Sequence, residues 1–309
     1  MTARPIDGKA LAARVREGIV VRAAAVAARG GRVGLDAVLV ESGDNGARVY
    51  ADNQARTCAE LGIEYRLHLL PASAGFDDIA GRVMLLSADE KVTAVMVHMP
   101  LPEGVDPYRV QRLIAPEKDV EGVNPANIGN VVYGRSSLAP CTGLAVVRMV
   151  ESVFMEEGGG VPGVMSGGVG GGGMLRGKVA VVVGASDVVG KPIAVLLMRR
   201  EATVVSCNRW TPDLAGLTRT GDVLVSAVGK PGLITGGMVK PGAVVIDVGV
   251  NRVTDASGVT RTVGDVDFAG VSGVASRVSP VPGGVGPVTV AMLLVNVLEA
   301  AEKRYGLHG

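Results

Sequence analysis

The sequence predicts an α/β protein of two domains, each built around a mostly parallel sheet. Short apolar runs alternate with helical patterns along most of the chain, in the order that strands and crossover helices take in such folds. Glycine is abundant, at 45 of 309 residues, and Val and Ala dominate the apolar residues, as expected for tight strand-to-helix turns around buried parallel strands. This length is sufficient for two domains, each with its own core.

The first series of elements predicts an N-terminal α/β domain over residues 1–145. It opens with an Ala- and Arg-rich amphipathic helix over residues 8–29. The elements expected after it are the strand DAVLV (36–40), a helix over 46–61, the strand EYRLHLL (64–70), a helix over 76–87, the strand in TAVMVHMPLP (93–102) and a helix that ends near Glu156.

A stretch between the two series is dominated by glycine. Ten of the sixteen residues from 158 to 173 are Gly. Because no strand leads into this stretch, it does not qualify as a phosphate-binding loop. Its composition predicts a flexible, low-complexity insert over residues 157–174.

The second series predicts a C-terminal α/β domain over residues 175–286. Its first unit, VAVVVGASDVVGKP (179–192), reads as a strand, a glycine turn and the start of a helix. The strands expected next lie in ATVVSC (202–207), DVLVSAVG (222–229) and AVVIDVGV (243–250). A final helix over 287–303 follows a turn rich in Pro and Gly, and could pack back on the first domain.

The glycine turn of the second domain suits the pyrophosphate of a dinucleotide. Gly184 permits the tight turn and Gly190 allows the helix to approach closely, so that backbone N–H groups at the helix start face the phosphates. We therefore assign Gly184, Ala185, Ser186 and Gly190 to cofactor binding. The spacing GxSxxxGxP departs from the usual GxGxxG, and many α/β proteins have glycine here for packing alone.

The end of the next strand indicates which dinucleotide would bind. A site for NAD would have an acidic residue there to hold the ribose 2′-hydroxyl. The chain instead reads CNRWT, with Arg209 and no carboxylate. A guanidinium suits a 2′-phosphate, so the sequence favours NADP over NAD. The alternative is an arginine that is only solvated at the surface.

Composition excludes several other kinds of partner and site. The net charge is +1 and aromatic residues are 3% of the chain, so neither a nucleic acid nor an anionic membrane surface is an expected partner. The three cysteines lie far apart and show no metal-ligand spacing, which fits a reducing cytosol and predicts no metal site. The polar start of the chain is not a secretory signal, and runs such as VTVAMLLVNVL are shorter than the ~20 residues of a membrane span. A soluble, cytoplasmic protein is therefore expected.

Six motifs carry a resemblance to a known family. They are IDGK (6–9), KDVEGVNPANIG (118–129), APCT (139–142), VGKPGLI (228–234), GDVDF (264–268) and SPVPGGVGPVT (279–289). Together they resemble the bifunctional methylenetetrahydrofolate dehydrogenase/cyclohydrolase family over nearly the whole chain. The resemblance implies an N-terminal catalytic domain, a C-terminal NADP-binding Rossmann domain, a folate site in the interdomain cleft and a homodimer. It also implies oxidation of 5,10-methylenetetrahydrofolate to the methenyl form, followed by hydrolysis to 10-formyltetrahydrofolate.

The resemblance also implies roles for residues in the matched motifs. Those expected to bind the folate-type substrate are Pro100, Leu101, Pro282, Gly283 and Gly284. Those expected to bind the cofactor, besides the glycine turn and Arg209, are Thr142, Val228, Gly229, Pro231 and Val250.

The expected folate pocket departs from the family pattern. That pattern is roughly SxxYxxxK, in which the tyrosine stacks near the pterin and the lysine serves the hydrolytic step. This chain keeps the tyrosine and changes the residues around it. The kept residue is Tyr50. In the other positions Ala47 stands where the family has serine, Gln54 where it has lysine, His98 where it has glutamine, Glu121 where it has aspartate and Ser42 where it has a turn glycine.

These changes predict which activity is lost. Hydride transfer to nicotinamide moves no proton and depends mainly on holding two rings face to face. Hydrolysis of the methenyl cation requires proton transfers, which a glutamine amide does not perform. General acid–base assistance is typically worth ~10²–10⁴-fold, so cyclohydrolase activity should fall by about that factor. We assign Tyr50, Gln54, His98 and Glu121 to the catalytic pocket.

Alternatives remain for these residues and for the protein. His98 could act as a substitute base or only line the pocket. Glu121 could still accept hydrogen bonds from the pterin or could mark a different ligand. Tyr50 could simply pack. The protein could be a repurposed paralogue that uses NADP on another one-carbon adduct, imine or hydrazone, a fully bifunctional enzyme, or a non-catalytic binding protein. The intact PVPGGVGP loop argues against the last.

Overall fold

The chain forms two compact units in the computed structural model, which describes residues 2–41, 46–135, 138–157, 173–254 and 258–307. The six-stranded unit comprises Met1–Val15 with Pro140–Met292, and the three-stranded unit comprises Arg16–Ala139 with Leu293–Gly309. Most of the expected glycine insert, residues 158–172, and the substituted Ser42 lie outside the described residues. The expected domain boundaries stay a prediction.

Strands and helices alternate through most of the described chain. The strands are β1 (Arg4–Pro5), β2 (Gly34–Val40), β3 (Glu64–Leu70), β4 (Val95–Val97), β5 (Val179–Val183), β6 (Thr203–Cys207), β7 (Val223–Ser226), β8 (Val244–Asp247), β9 (Asn251–Thr254), β10 (Thr260–Val263) and β11 (Arg277–Val278). The helices are α1 (Gly8–Ala28), α2 (Gly46–Glu60), α3 (Phe76–Ala88), α4 (Pro107–Gln111), α5 (Pro125–Tyr133), α6 (Cys141–Glu157), α7 (Gly190–Met198), α8 (Leu214–Thr218), α9 (Phe268–Ser272) and α10 (Val285–Arg304), with one 3₁₀ turn at Gly236–Met238.

The six-stranded unit has a fully parallel sheet in the order β1-β11-β8-β7-β5-β6. In its register Val183 lies opposite Cys207 and Ser226, and Ser226 lies opposite Asp247. The loops that follow β5, β6, β7 and β8 therefore leave the same edge of the sheet. This carboxyl edge is where open α/β sheets bind their ligands.

The three-stranded unit has a parallel sheet in the order β3-β2-β4, in which Val38 lies opposite both His68 and Val97. One face of this sheet is covered by α3, through a core that includes Ile79 and Val83. Helix α2 follows β2, and Ala51, Gln54 and Cys58 form its buried face. His98 comes directly after β4 and donates its backbone N–H to the carbonyl of Val38.

Helix α10 is long and very apolar. Among the described residues it is the one helix whose length and composition would suit a membrane span, yet 72% of its most apolar window is buried inside the protein. In the three-stranded unit, its fully buried Asn296 donates to the carbonyls of Val120 and Ala139 at 2.8 and 3.0 Å. Glu302 of the same helix pairs with Arg22 of α1. These contacts are those of an internal helix.

Candidate functional site

Tyr50 and Gln54 lie one helical turn apart on α2 and differ strongly in exposure. Tyr50 is 46% exposed, whereas Gln54 is 3% exposed. Both polar atoms of the Gln54 amide are buried and have no hydrogen-bond partner among the residues that the structure describes. Because an unsatisfied buried amide is costly, such a group needs a specific reason to be there.

His98 is buried beside the exposed tyrosine. The ring centroids of His98 and Tyr50 are 5.8 Å apart and the ring planes meet at 81°, an edge-to-face contact. Nε2 of His98 also lies 3.0 Å from the hydroxyl of Tyr65, on β3. Burial lowers the pKa of His98 to about 4. The imidazole is therefore neutral at pH 7.

The carboxyl group of Glu121 lies next to Val97, the residue before His98. Its Oε2 accepts a hydrogen bond from the backbone N–H of Val97 at 3.3 Å. The residue as a whole is only half-buried, but its carboxylate loses hydration, and this desolvation raises the pKa of Glu121 to about 7. The Val97 bond opposes that rise, and the negative charge of Asp119 adds a smaller one. Glu121 is thus poised to gain or lose a proton near neutral pH.

The expected substrate-binding residues lie in both units. Pro100 and Leu101 follow His98 in the three-stranded unit, and Pro282, Gly283 and Gly284 precede or begin the turn into α10 in the six-stranded unit. The peptide bonds before the two prolines are cis. Gly283 has φ of +104°, and a Cβ on Gly284 would lie 2.5 Å from the carbonyl oxygen of Pro280, so both positions require glycine.

The turn between β5 and α7 fits a dinucleotide. Gly184 has φ of +105°, and a Cβ there would lie 2.2 Å from the carbonyl oxygen of Ala227. A Cβ on Gly190 would lie 1.8 Å from the carbonyl oxygen of Gly184. Glycine at these positions lets the turn pack against the loop after β7 and lets the start of α7 pack against the turn, a close approach that pyrophosphate-binding turns require. Ser186 closes the turn, since its Oγ accepts from the N–H of Gly190 at 3.3 Å.

Arg209 leaves the carboxyl edge at the end of β6. It is exposed, and its guanidinium carbon lies 4.8 Å from the ring centroid of Trp210, which is 78% exposed. The turn is closed by Asn208 and Thr211, because the Asn208 N–H donates to the Thr211 hydroxyl at 2.9 Å. The turn thus offers a guanidinium and no carboxylate, which fits a phosphate on the adenosine ribose.

The remaining expected cofactor residues also lie in the six-stranded unit. Val228, Gly229 and Pro231 form an exposed loop after β7, and Val250 is 72% exposed after β8. Thr142 lies in the first turn of α6. Gly229 has φ of +77°, a conformation that favours glycine. The loop residues therefore share the carboxyl edge with the β5 turn and Arg209.

Comparison with known proteins shows which family this is. Residues 6–121 match the model of the tetrahydrofolate dehydrogenase/cyclohydrolase catalytic domain, and residues 170–305 match that of the NAD(P)-binding domain of the same family. The chain belongs to the tetrahydrofolate dehydrogenase/cyclohydrolase family. It is therefore an oxidoreductase with an N-terminal catalytic domain and a C-terminal NAD(P)-binding domain, which confirms the expected fold class.

Relatives in this family match over the full length. The Bifunctional protein FolD of Bordetella avium is 46% identical over 98% of this chain and 99% of its own. The protein of the same name from Cupriavidus pinatubonensis is 45% identical over 99% and 100%. The crystal structure of the bifunctional FolD enzyme from Campylobacter jejuni has a TM-score of 0.86, at 34% identity over 98% of this chain and 99% of its own. A Trypanosoma brucei FolD complexed with NADP and an inhibitor has a TM-score of 0.83, at 33% identity over 100% of both chains.

Lys118, the first residue of the motif KDVEG, does not take the place of the lysine that the family resemblance implies at position 54. Lys118 is buried, and its Nζ donates to the backbone carbonyls of Leu86, Ser87 and Asp89, at 3.3, 2.7 and 2.7 Å. These carbonyls belong to the end of α3 and the turn after it. Because all three donors of the ammonium are used, Lys118 holds the end of a helix and is not available for proton transfer to a ligand.

Proposed function

We propose that this family member is an NADP-dependent dehydrogenase that oxidises 5,10-methylenetetrahydrofolate to 5,10-methenyltetrahydrofolate and has weak or no cyclohydrolase activity. The observation that carries the proposal is Gln54, a buried amide at the position where the family resemblance implies a lysine. The exposed Tyr50 one turn away remains available to stack on a pterin-type ring.

Oxidation makes few chemical demands on the residues of the pocket. Bound NADP⁺ would supply the hydride acceptor, and loss of a hydride from the methylene carbon would give a methenyl cation without any proton transfer. The residues proposed to bind it are Gly184, Ser186, Gly190 and Arg209. The protein's contribution is to hold donor and acceptor in contact, and positioning of this kind requires no titratable side chain. The NADP named for the Trypanosoma brucei relative supports this choice of cofactor.

Hydrolysis of the methenyl cation requires proton transfers, which the Gln54 amide does not perform. A water molecule must lose a proton as it attacks, and a ring nitrogen must gain one as the C–N bond breaks. The Gln54 amide does not titrate, and His98, with a pKa of about 4, is a weak base at neutral pH. We therefore propose that His98 lines the pocket and that hydrolysis is slower by about 10²–10⁴-fold than with a lysine.

Glu121 supports a second candidate, a fully bifunctional enzyme. With a pKa of about 7 it can both accept and release a proton at neutral pH, as general acid–base catalysts do. The relatives from Bordetella avium and Cupriavidus pinatubonensis are named bifunctional. In this reading Glu121 takes over the proton transfers and hydrolysis proceeds at a rate similar to oxidation.

The test measures both reactions in the wild type and in Gln54→Lys. Oxidation is followed by the absorbance of reduced nicotinamide, and hydrolysis by the loss of methenyltetrahydrofolate. We expect the wild type to oxidise its substrate and hydrolyse poorly, and Gln54→Lys to raise hydrolysis by at least about tenfold. Gln111→Lys is the matched control, because it adds the same charge on α4. Rapid hydrolysis by the wild type, lost in Glu121→Gln, would establish the second candidate instead.

A third candidate is a repurposed paralogue that uses NADP on another one-carbon adduct, imine or hydrazone. It is favoured by the departures from the family pattern at Ser42, Ala47, Gln54, His98 and Glu121. NADP binding without turnover of methylenetetrahydrofolate would support it. Binding of neither molecule would leave a non-catalytic protein.

We also propose a homodimer, which the family resemblance implies, and a cytoplasmic location, which the three widely spaced cysteines favour. Sedimentation of the purified chain tests the first, and a single species at the monomer mass of 31.5 kDa would contradict it. A near-neutral charge of +1 gives no support for a nucleic-acid or anionic-membrane partner.

A further inference from the structure

We infer that Asp265 is a positioning residue that fixes the two loops receiving the nicotinamide half of the cofactor. The inference rests on the proposed NADP binding but not on the folate reaction. With the pyrophosphate at the β5 turn and the 2′-phosphate at Arg209 after β6, the other half of the dinucleotide extends the opposite way along the sheet edge. In the strand order, that direction leads over the loops after β7 and β8.

The loop after β7 is wrapped around the Asp265 carboxylate. Asp265 is fully buried, and its Oδ2 accepts from the N–H groups of Val228 and Gly229 at 2.8 and 3.2 Å. Its Oδ1 accepts from the N–H of Lys230 at 2.9 Å. Three successive N–H groups make the kind of concavity that binds phosphates. Here the protein's own carboxylate fills it, so this loop is closed to a phosphate group.

The same carboxylate ties this loop to the one after β8. Its Oδ1 also accepts from the side-chain amide of Asn251 at 3.0 Å, and its Oδ2 from the hydroxyl of Ser226 at 3.1 Å. A Cβ on Gly249 would lie 2.2 Å from Oδ1 of Asp265, so only glycine fits there. One buried side chain thus sets the conformation of both loops.

A second buried carboxylate, that of Asp247, holds the backbone at Asp265. Oδ1 of Asp247 accepts from the N–H groups of Asp265 and Gly249, at 3.0 and 2.9 Å, and its Oδ2 accepts from that of Val266 at 2.9 Å. A Cβ on Gly264 would lie 1.8 Å from Oδ2 of Asp247. The backbone that carries the Asp265 side chain is therefore itself held by buried hydrogen bonds.

Each of these two loops presents an exposed valine. Val228 is 43% exposed and Val250 is 72% exposed, although the residues around them are held by buried hydrogen bonds. An exposed valine on a fixed backbone offers a flat contact for a ring, whereas a mobile loop would lose conformational entropy on binding. The two valines therefore offer apolar contact to an aromatic ring.

The test compares two ligands that share the adenosine half. NADP carries the nicotinamide, and adenosine 2′,5′-bisphosphate lacks it but keeps the 2′-phosphate. Calorimetry with Asp265→Asn should show NADP binding weakened by roughly 10- to 100-fold, because the asparagine accepts fewer of the N–H groups. Binding of the bisphosphate should change by less than about twofold.

Two further variants keep the test decisive. Asn251→Ala removes one donor and should weaken NADP selectively by about 3- to 10-fold, even if Asp265→Asn fails to fold. Asp222→Asn is the matched control, since Asp222 accepts from Val179 and Lys240 at the opposite edge of the sheet. It should leave both affinities unchanged.

The outcomes separate the inference from the proposed function. Equal losses for both ligands, or no loss for either, in Asn251→Ala and Asp265→Asn would overturn the positioning role. A wild type that binds NADP but does not oxidise methylenetetrahydrofolate would overturn the proposed reaction and leave the inference standing. A wild type that binds neither ligand would overturn the NADP assignment and the inference together.

Discussion

The hydroxyl oxygen of Tyr65 lies 3.0 Å from Nε2 of His98, and the histidine is 3% exposed. The bond satisfies one ring nitrogen of an imidazole that has little access to water. Burial then disfavours the charged form and lowers the pKa of His98, because the imidazolium would lose its hydration. The histidine is therefore built into the pocket as a neutral group.

This neutrality predicts a loss of stability in acid. The pKa of His98 is about 4 when folded and about 6.5 when unfolded, so the unfolded state binds more protons between these values. Stability should fall as the pH drops from about 6.5 to 4. In His98→Gln the fall should be smaller by on the order of 2–3 kcal/mol, measured by urea unfolding at pH 7 and 4.5. Parallel losses in both proteins would contradict this.

Glu121 predicts the opposite dependence. Its folded pKa of about 7 lies above its ordinary value, so its contribution to stability is present below about pH 4.5 and is lost as the pH rises through 7. Glu121→Gln should therefore be more stable than the wild type at pH 8, by about 1–3 kcal/mol, and equal to it near pH 4.5. The exposed Glu103→Gln serves as control and should show no such difference. A constant difference across this pH range would refute the assignment.

The longer elements could be predicted from the sequence because burial gives them a regular pattern. The strand expected at 64–70 is β3 residue for residue, and the helix expected at 76–87 is α3 with one further residue. The hairpin of β9 and β10 was missed because its strands are largely exposed and carry no apolar alternation. The pairing of β1 with β11 was missed because two residues are too short to show a period.

The candidate site could be predicted only where linear motifs carry it. Spacing and resemblance assign Tyr50, Gln54 and Arg209 to it. The Tyr65 contact with His98 joins residues 33 apart, and the Asp265 contact with Val228 joins residues 37 apart. Such pairs depend on strand order and register, which the sequence does not state. The sequence shows the motif GDVDF, but it does not indicate that the side chain of its first aspartate, Asp265, is buried.

Arg209 predicts the cofactor preference. Arg209→Gln should weaken NADP binding by about 10- to 100-fold, because a charged partner of the 2′-phosphate is lost, and should leave NAD binding within about twofold. Arg176→Gln is the control, since Arg176 is exposed before β5, at the opposite edge of the sheet, and pairs with Glu201. Titration of each protein with both dinucleotides gives the comparison. An unchanged ratio of the two affinities in Arg209→Gln would mean that this arginine is merely solvated.

Gly190→Ala should damage the pyrophosphate turn. The new methyl group would lie 1.8 Å from the carbonyl oxygen of Gly184, so the start of α7 and the turn before it must separate. The overpacking should cost about 1–3 kcal/mol of stability and lower the affinity for NADP and for NAD alike by at least about tenfold, since both carry the pyrophosphate. Gly237→Ala is the matched control, because a Cβ there meets no atom within 4 Å. Thermal unfolding and dinucleotide titration measure the two effects, and equal behaviour of the two alanine variants would show that close approach at residue 190 is not required.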